Sequence, residues 1–441
     1  VRGVANKELT PELAYKLGRA GAYVLALTNV HKPTILVGTD TRLSCGMLEC
    51  SLISGICSTG ATALRVGVIP TPAIAYLTRE YEADAGVVIS ASHNSFEFNG
   101  IKFFSDQGYK LLDETEEMIE KLVLGDGSEI PYPVGETLGR VENCEGAADD
   151  YLSYLLSTAD CVFTGKKIVL DCANGAAYGI APKLFETLGA SVTVIGAAPN
   201  GTNINKKCGS THLEALVEKV VETGADMGFA FDGDADRLLA VDERGNIVDG
   251  DAIMSILAVE LKRRGTLLRD TLVVTIMSNM GVDIMAEKNG IKIVKTKVGD
   301  RYVLEEMLRS GYVLGGEQSG HVICLQNNTT GDGMITAIKV ASAVCMQNKT
   351  LSELASVFTA LPQVLVNAKV RNELKYKYIE DADIKEMCES IEAEFAGKGR
   401  VVIRPSGTEP LVRVMIEGED YGYIKSKAEV LAALIESRLG V

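Results

Sequence analysis

The chain has 441 residues, 46% of them hydrophobic and 23% charged, which is more than one hydrophobic core usually organises and which excludes wholesale disorder or fibrous structure. Its 44 Lys+Arg against 59 Asp+Glu give a net charge of −15, which opposes general adhesion to nucleic acid or anionic membrane, so an anionic ligand needs a local basic pocket. No apolar run reaches the roughly 18 residues of a spanning helix, no signal-peptide pattern opens the chain, and the ten cysteines contain no C-x-x-C pair; a reduced, cytoplasmic setting is expected.

Along the chain, Thr34–Gly38 reads as a strand, polar residues follow at Thr39–Arg42, and a helical run reaches Cys57 before Gly60 and a second strand near Ala63–Val66. A helix at Thr71–Tyr81 and a strand at Gly86–Ser90 then lead into Ser-Ala-Ser-His-Asn at 90–94. The same order returns twice. Strand Lys167–Asp171, helix Ile180–Leu188, strand Ser191–Ile195, helix Leu213–Thr223 and strand Met227–Phe231 end on Asp-Gly-Asp-Ala-Asp-Arg at 232–237. Strand Leu272–Ile276, helix Val282–Asn289 and strand Ile291–Lys295 precede Gly-Gly-Glu-Gln-Ser-Gly-His at 315–321.

The tail changes character. A helix at Ala382–Phe395, a strand at Arg400–Ile403, the turn Arg404–Pro410, a strand at Leu411–Ile416 and a final helix to about Leu439 read as a smaller unit. The fold class is therefore α/β: three related α/β domains, at 1–147, 148–246 and 247–362, plus a C-terminal α+β domain at 363–441. Ligands of open α/β sheets sit beyond the carboxyl ends of strands, so the three equivalent loops are expected to converge on one central cleft.

Asp232, Asp234 and Asp236 stand at i, i+2, i+4 after an apolar strand, and an extended backbone would project all three carboxylates to one side. A hard divalent cation would relieve their repulsion, and Arg237 could hold a phosphate beside it. An EF-hand is rejected, because position 6 is Arg237 rather than glycine and an apolar strand follows at Leu238–Val241. Ser92, with His93 and Asn94, sits just past a strand without the G-x-S-x-G elbow of acyl-transfer hydrolases. A serine facing a metal-bound phosphate points to phosphoryl transfer. Glu317, Ser319 and His321 alternate at a spacing suited to vicinal sugar hydroxyls. Arg404-Pro-Ser-Gly-Thr-Glu-Pro at 404–410, with Arg413 nearby, reads as a phosphate cradle.

These motifs, in this order, resemble the α-D-phosphohexomutase superfamily across essentially the whole chain. Further segments carrying the resemblance are Val-Arg-Gly-Val-Ala-Asn at 1–6, Gly-Thr-Asp-Thr-Arg at 38–42, Cys-Gly-Ser-Thr at 208–211 and Val-Gly-Asp-Arg-Tyr-Val at 298–303. The resemblance implies that Ser92 carries the phosphoryl group, that Asp232, Asp234, Asp236 and a phosphoserine oxygen on Ser92 hold one Mg²⁺, and that Arg2, His93 and Lys102 assist transfer. It assigns sugar hydroxyls to Glu317 and Ser319, and the non-reacting phosphate to Arg404, Ser406, Gly407, Thr408 and Arg413. A short strand with Gly-Thr-Asp-Gly is expected ahead of Val1. Ser95, Phe98 and Ala235 depart from the family pattern.

Gln318 directs the substrate expectation to the branch acting on glucosamine phosphate. The expected reaction interconverts glucosamine 6-phosphate and glucosamine 1-phosphate through glucosamine 1,6-bisphosphate, as a step towards bacterial amino-sugar polymers. The expected partner is a small sugar phosphate, with no nucleic acid and no membrane, and with room for a homodimer. The alternatives are a mannose or glucose phosphate mutase, a silent sugar-phosphate binding protein, and a phosphatase using an aspartate nucleophile.

Overall fold

In the computed structural model, residues 1–25, 31–125, 127–395, 397–406 and 409–440 are described. The first sheet contains β1 (Arg2–Val4), β2 (Thr34–Thr39), β3 (Thr62–Val68), β4 (Ala85–Ile89), β5 (Phe98–Ser105) and β6 (Val141–Asn143), in the order β1-β5-β4-β2-β3-β6. The second runs β11-β10-β9-β7-β8, from β7 (Lys167–Asp171), β8 (Ser191–Ile195), β9 (Met227–Phe231), β10 (Leu238–Asp242) and β11 (Ile247–Val248). The third, β13-β12-β14-β15, uses β12 (Thr271–Thr275), β13 (Lys292–Thr296), β14 (Leu314–Gly316) and β15 (Val322–Cys324). The last sheet, β16-β18-β17, is built from β16 (Gln363–Lys369), β17 (Gly399–Pro405) and β18 (Leu411–Gly418) and is wholly antiparallel.

One four-strand arrangement recurs: β3-β2-β4-β5, β8-β7-β9-β10 and β13-β12-β14-β15. In each, the first strand lies parallel between the second and third, and the fourth turns back antiparallel to the third. The motifs at 90–94, 232–237 and 317–321 are all the connection from third to fourth strand. Central strands such as β4, β9 and β12 are buried along their full length, as strands covered on both faces must be.

Strand β5 is not evident in the sequence, because Phe98–Ser105 mixes Asn99, Gly100 and Lys102 into its apolar pattern. Gly315 and Gly316, expected in the loop, belong to β14 instead. A Cβ at Gly315 would lie 2.7 Å from Met307 Sδ and 2.8 Å from the Val273 carbonyl oxygen, so glycine there permits the approach of helix Asp300–Ser310 and strand β12.

One continuous core links the first three domains, from Leu36 and Phe104 through Phe229 and Phe231 to Val274 and Leu314. The C-terminal domain packs its own core, from Val364 and Val414 to Ile435. Shared packing fixes the first three loops relative to one another, whereas the fourth domain can shift without opening a common core. Among the described residues, no helix is long and apolar enough to cross a membrane.

Candidate active site

Asp40, at the carboxyl end of β2, accepts a hydrogen bond from Ser90 Oγ at 2.6 Å and is paired with Arg42 Nε at 2.8 Å. Fully buried Arg42 spends its remaining donors on the next loop: Nη2 reaches the carbonyl oxygens of Ser92 and Asn94 at 2.9 Å each, and Nη1 that of Phe98 at 3.0 Å and that of Ser95. Ser92 is held in the left-handed region, at φ 53°, and is 3% exposed. A non-glycine residue pays roughly 1–2 kcal/mol for that conformation, so the surrounding donors must enforce it. The result aims Ser92 Oγ at Asp232.

The triad is closer packed than alternation along a strand predicts. Residues 233–236 form a turn rather than an extended segment, with Ala235 at φ 55° and its N–H donating to the Asp232 carbonyl at 3.1 Å. The three carboxylates nevertheless meet: each offers an oxygen within 4.8 Å of the others, and all three residues are buried. Gly233 allows this loop to touch the serine loop, since a Cβ there would lie 2.5 Å from the Ser92 carbonyl oxygen.

Ser92 Oγ donates to Asp232 Oδ2 at 2.6 Å and lies 3.3 Å from His93 Nδ1. Asp234 Oδ2 accepts from Thr71 Oγ1 at 2.6 Å and from Lys102 Nζ at 2.7 Å, while its Oδ1 is buried without a hydrogen bond. Asp236 Oδ1 is likewise unsatisfied, and Arg237 Nε stands 3.8 Å away. Burial and the neighbouring carboxylates push Asp232 well above the usual carboxylate range. Burial acts on Asp234 and Asp236 too, but Lys102 in both cases, with Thr71 or His321, holds them below it. Buried carboxylates with orphan oxygens fit a hard divalent cation, which takes oxygen ligands and removes the repulsion. Burial, then Arg237 and Arg2, depress His93, so its ring is neutral at neutral pH.

The remaining predicted residues fall at varied distances from this centre. Arg2 Nη1 donates to Asn94 Oδ1 at 3.1 Å. Glu317 Oε1 accepts from the Gly299 N–H at 3.1 Å, and Ser319 is exposed on the same loop. His321 is placed differently from the sugar-gripping position its spacing suggested. Its ring is 2% exposed; Nε2 accepts from the Gly331 N–H at 3.1 Å and stands 3.4 Å from Asp300, while Nδ1 faces Asp236 at 3.6 Å. Both nitrogens are engaged by protein, because the ring is tucked behind the triad.

In the C-terminal sheet Arg404 and Arg413 are directly opposed in register on β17 and β18. Both Nε atoms are buried without a hydrogen bond, and burial followed by the Arg413 charge lowers Arg404. Two juxtaposed guanidiniums with spare donors suit an oxyanion. Ser406 is buried and its Oγ accepts from the Glu409 N–H at 3.2 Å; Gly407 and Thr408 lie outside the described residues.

Sequence reasoning assigned no role to several residues that shape the site: Asp40, Arg42, Thr71, Asn205, Asp300 and Lys110, which pairs with Asp300. The signal for Arg42 was present in the Gly-Thr-Asp-Thr-Arg segment, but its four loop acceptors are 50 residues or more away in the chain.

Profiles of phosphoglucomutase/phosphomannomutase domains match in order: alpha/beta/alpha domain I over residues 1–129, domain II over 149–245, domain III over 249–361 and the C-terminal domain over 365–434. A phosphoglucosamine mutase of Acetivibrio thermocellus is 60% identical over 440 residues, covering 100% of this chain and 98% of that protein. The chain belongs to the phosphoglucosamine mutase family. A second member, from Ruminiclostridium cellulolyticum, is also 60% identical, over 100% of this chain and 98% of its own length. As a phosphohexomutase the protein is an isomerase.

Solved structures share the four-domain fold. A phosphoglucomutase/phosphomannomutase family protein of Burkholderia thailandensis superposes with a TM-score of 0.83 at 23% identity, over 99% of this chain and 96% of that one. An Aspergillus fumigatus N-acetylphosphoglucosamine mutase, solved with GlcNAc-6P and magnesium, gives 0.65 at 20% identity, over 94% and 85%. A serine-to-alanine form of the same enzyme, solved with glucose 1,6-bisphosphate, gives 0.68 at 18% identity, over 100% and 94%.

Proposed function

We propose that the protein interconverts glucosamine 6-phosphate and glucosamine 1-phosphate, with Ser92 as the phosphoryl carrier. The observation that carries this reading is Ser92 Oγ, buried and directed at a carboxylate triad with two unsatisfied oxygens. Asp232, Asp234 and Asp236 would hold one Mg²⁺, a reading supported by the magnesium present with the Aspergillus enzyme. When bound, that ion supplies charge neutralisation at the transferring group.

In the forward direction the free hydroxyl of the bound sugar attacks the phosphorus on Ser92. A new P–O bond forms to the sugar, the P–Oγ bond breaks, the proton of the sugar hydroxyl passes to Ser92 Oγ, and the sugar becomes glucosamine 1,6-bisphosphate, which also serves as activator. On return of the other phosphate to Ser92 Oγ, the bond from that phosphorus to the sugar oxygen breaks, and the Ser92 proton must pass to that oxygen. Two acceptors are at hand: Asp232 Oδ2 at 2.6 Å and neutral His93 Nδ1 at 3.3 Å. Lys102 and Arg237 place positive charge beside the transferring phosphate, and Arg2 steadies the serine loop through Asn94.

Glu317 and Ser319 bind sugar hydroxyls, and Arg404, Ser406 and Arg413 the phosphate at rest. Between half-reactions the bisphosphate must exchange its ends, so that cradle has to accept either phosphate. The independent core of the C-terminal domain supports the movement this needs. The ten free cysteines agree with work in a reducing cytoplasm.

Intact mass before and after mixing with glucosamine 1,6-bisphosphate and Mg²⁺, with peptide mapping, tests the relay. A gain of about 80 Da on the Ser92 peptide is expected, with turnover abolished in Ser92→Ala. Near-normal turnover by Ser92→Ala overturns the reading, and rates on the three hexose 6-phosphates decide the sugar.

A further inference from the structure

We infer that Asn205 is a positioning residue for the phosphoryl-carrying serine, locking the Ser92 loop from the second domain. This rests on Ser92 being the carrier. Asn205 is 6% exposed, and its Nδ2 donates to the carbonyl oxygens of Ser92 at 2.8 Å and Asn94 at 2.9 Å. An amide nitrogen has two hydrogens, so both are committed to this loop.

The same two carbonyls accept from Arg42 Nη2 at 2.9 Å each. Each oxygen therefore takes one donor from its own domain and one from the next. Arg42 belongs to the serine's own domain and holds the loop whatever the second domain does. Asn205 can act only when the second domain is docked, and so couples the left-handed Ser92 backbone to the presence of the triad.

Asn205 is itself anchored for this task. Its backbone is in the left-handed region at φ 58°, and its N–H donates to the Ala173 carbonyl at 2.9 Å. Ala173, also left-handed at φ 54°, donates its own N–H to buried Asp171 at 2.9 Å. Left-handed residues on two separate loops, Ala173 and Asn205, tied to each other by a backbone hydrogen bond, fix the direction in which the Asn205 side chain points. Asn205 Nδ2 also lies 3.0 Å from where a Cβ on Gly233 would stand, so the amide fills the seam between the serine and aspartate loops.

Asn205→Asp keeps the shape but sets an anion against two carbonyl oxygens, and Asn205→Ser leaves a hydroxyl that reaches one carbonyl at most. The measurements are kcat, KM for glucosamine 6-phosphate, the rate of phosphate uptake by Ser92 from glucosamine 1,6-bisphosphate, and the melting temperature, all against the unaltered protein. Expected are a kcat loss of roughly 30-fold or more for Asn205→Asp and a smaller one for Asn205→Ser, KM within about threefold, and uptake slowed in parallel with kcat. If Asn205→Asp does not fold, Asn205→Ser decides by the same criteria. Unchanged kcat in the folded variants, even with a lowered melting temperature, overturns the inference and leaves Asn205 a purely structural residue. Absence of phosphate on Ser92 in the unaltered protein overturns both this inference and the carrier role.

Discussion

Lys102 Nζ lies 2.7 Å from Asp234 Oδ2 and 3.7 Å from Asp236 Oδ2, so a lysine on β5 of the first domain neutralises two of the three carboxylates offered by the second. Their attraction raises Lys102 despite its burial, and the ammonium stays charged across the physiological range. A divalent cation on the unsatisfied Oδ1 atoms and this lysine on the Oδ2 atoms therefore repel each other and compete for the charge of the same two carboxylates.

Removal of the lysine should separate the two roles. In Lys102→Met the apo triad carries more uncompensated charge, so the Mg²⁺ midpoint for binding should fall, roughly three- to tenfold, while kcat drops roughly 100-fold for want of positive charge at the phosphate. Calorimetric titration with Mg²⁺ alone and steady-state rates check the two halves. Weaker Mg²⁺ binding in the variant would contradict the competition.

A methyl group at residue 233 tests whether the two loops must touch. In Gly233→Ala the new Cβ meets the Ser92 carbonyl oxygen at 2.5 Å, Ile204 Cδ1 at 2.9 Å and Asn205 Nδ2 at 3.0 Å. The contact with the Ser92 backbone oxygen relaxes only by separation of the loops, at a cost of roughly 1–3 kcal/mol. The variant should fold, as read by circular dichroism, yet lose roughly 100-fold in turnover as Ser92 Oγ moves from Asp232. Wild-type turnover would show that the close approach is dispensable.

Away from the chemistry, Asp251 predicts a pH dependence. It is fully buried, and burial first, then Asp249 and Glu417, lift it from 3.8 to about 7 against the hydrogen bond from the Asn279 N–H. The folded chain thus keeps a proton that the unfolded chain loses near 3.8. Stability from the neutral carboxyl is complete below that value, declines as pH rises, and is exhausted once pH passes 7. Asp251→Asn has no such titration. The stability advantage of the unaltered chain over the variant should shrink by roughly 2–3 kcal/mol between about pH 5 and about pH 7.5, measured by urea unfolding. A constant difference would place the carboxyl's titration outside this window.

Elements with an unbroken apolar pattern were legible in the sequence: β9 at Met227–Phe231, β7 at Lys167–Asp171 and helix Ala382–Phe395 occupy the residues their periodicity indicates. The three motif loops were legible too, because each follows a strand that ends abruptly in polar residues. Side-chain direction was not. His321 shares its alternation with Glu317 and Ser319, yet the turn at 317–320 carries its ring inward to Asp236 and Asp300.

The sequence by itself determined the repeated α/β order, the residue types at the candidate site and the family, since these depend on local periodicity and short contiguous motifs. Tertiary structure alone decided which atoms meet. Arg42 and Asn205 converge on the same two carbonyls from different domains, Lys102 faces carboxylates 132 residues or more away, and Arg404 stands opposite Arg413 across a hairpin. Such contacts follow from sheet register and domain packing, which no local pattern encodes, and they convert a serine and three aspartates into a site.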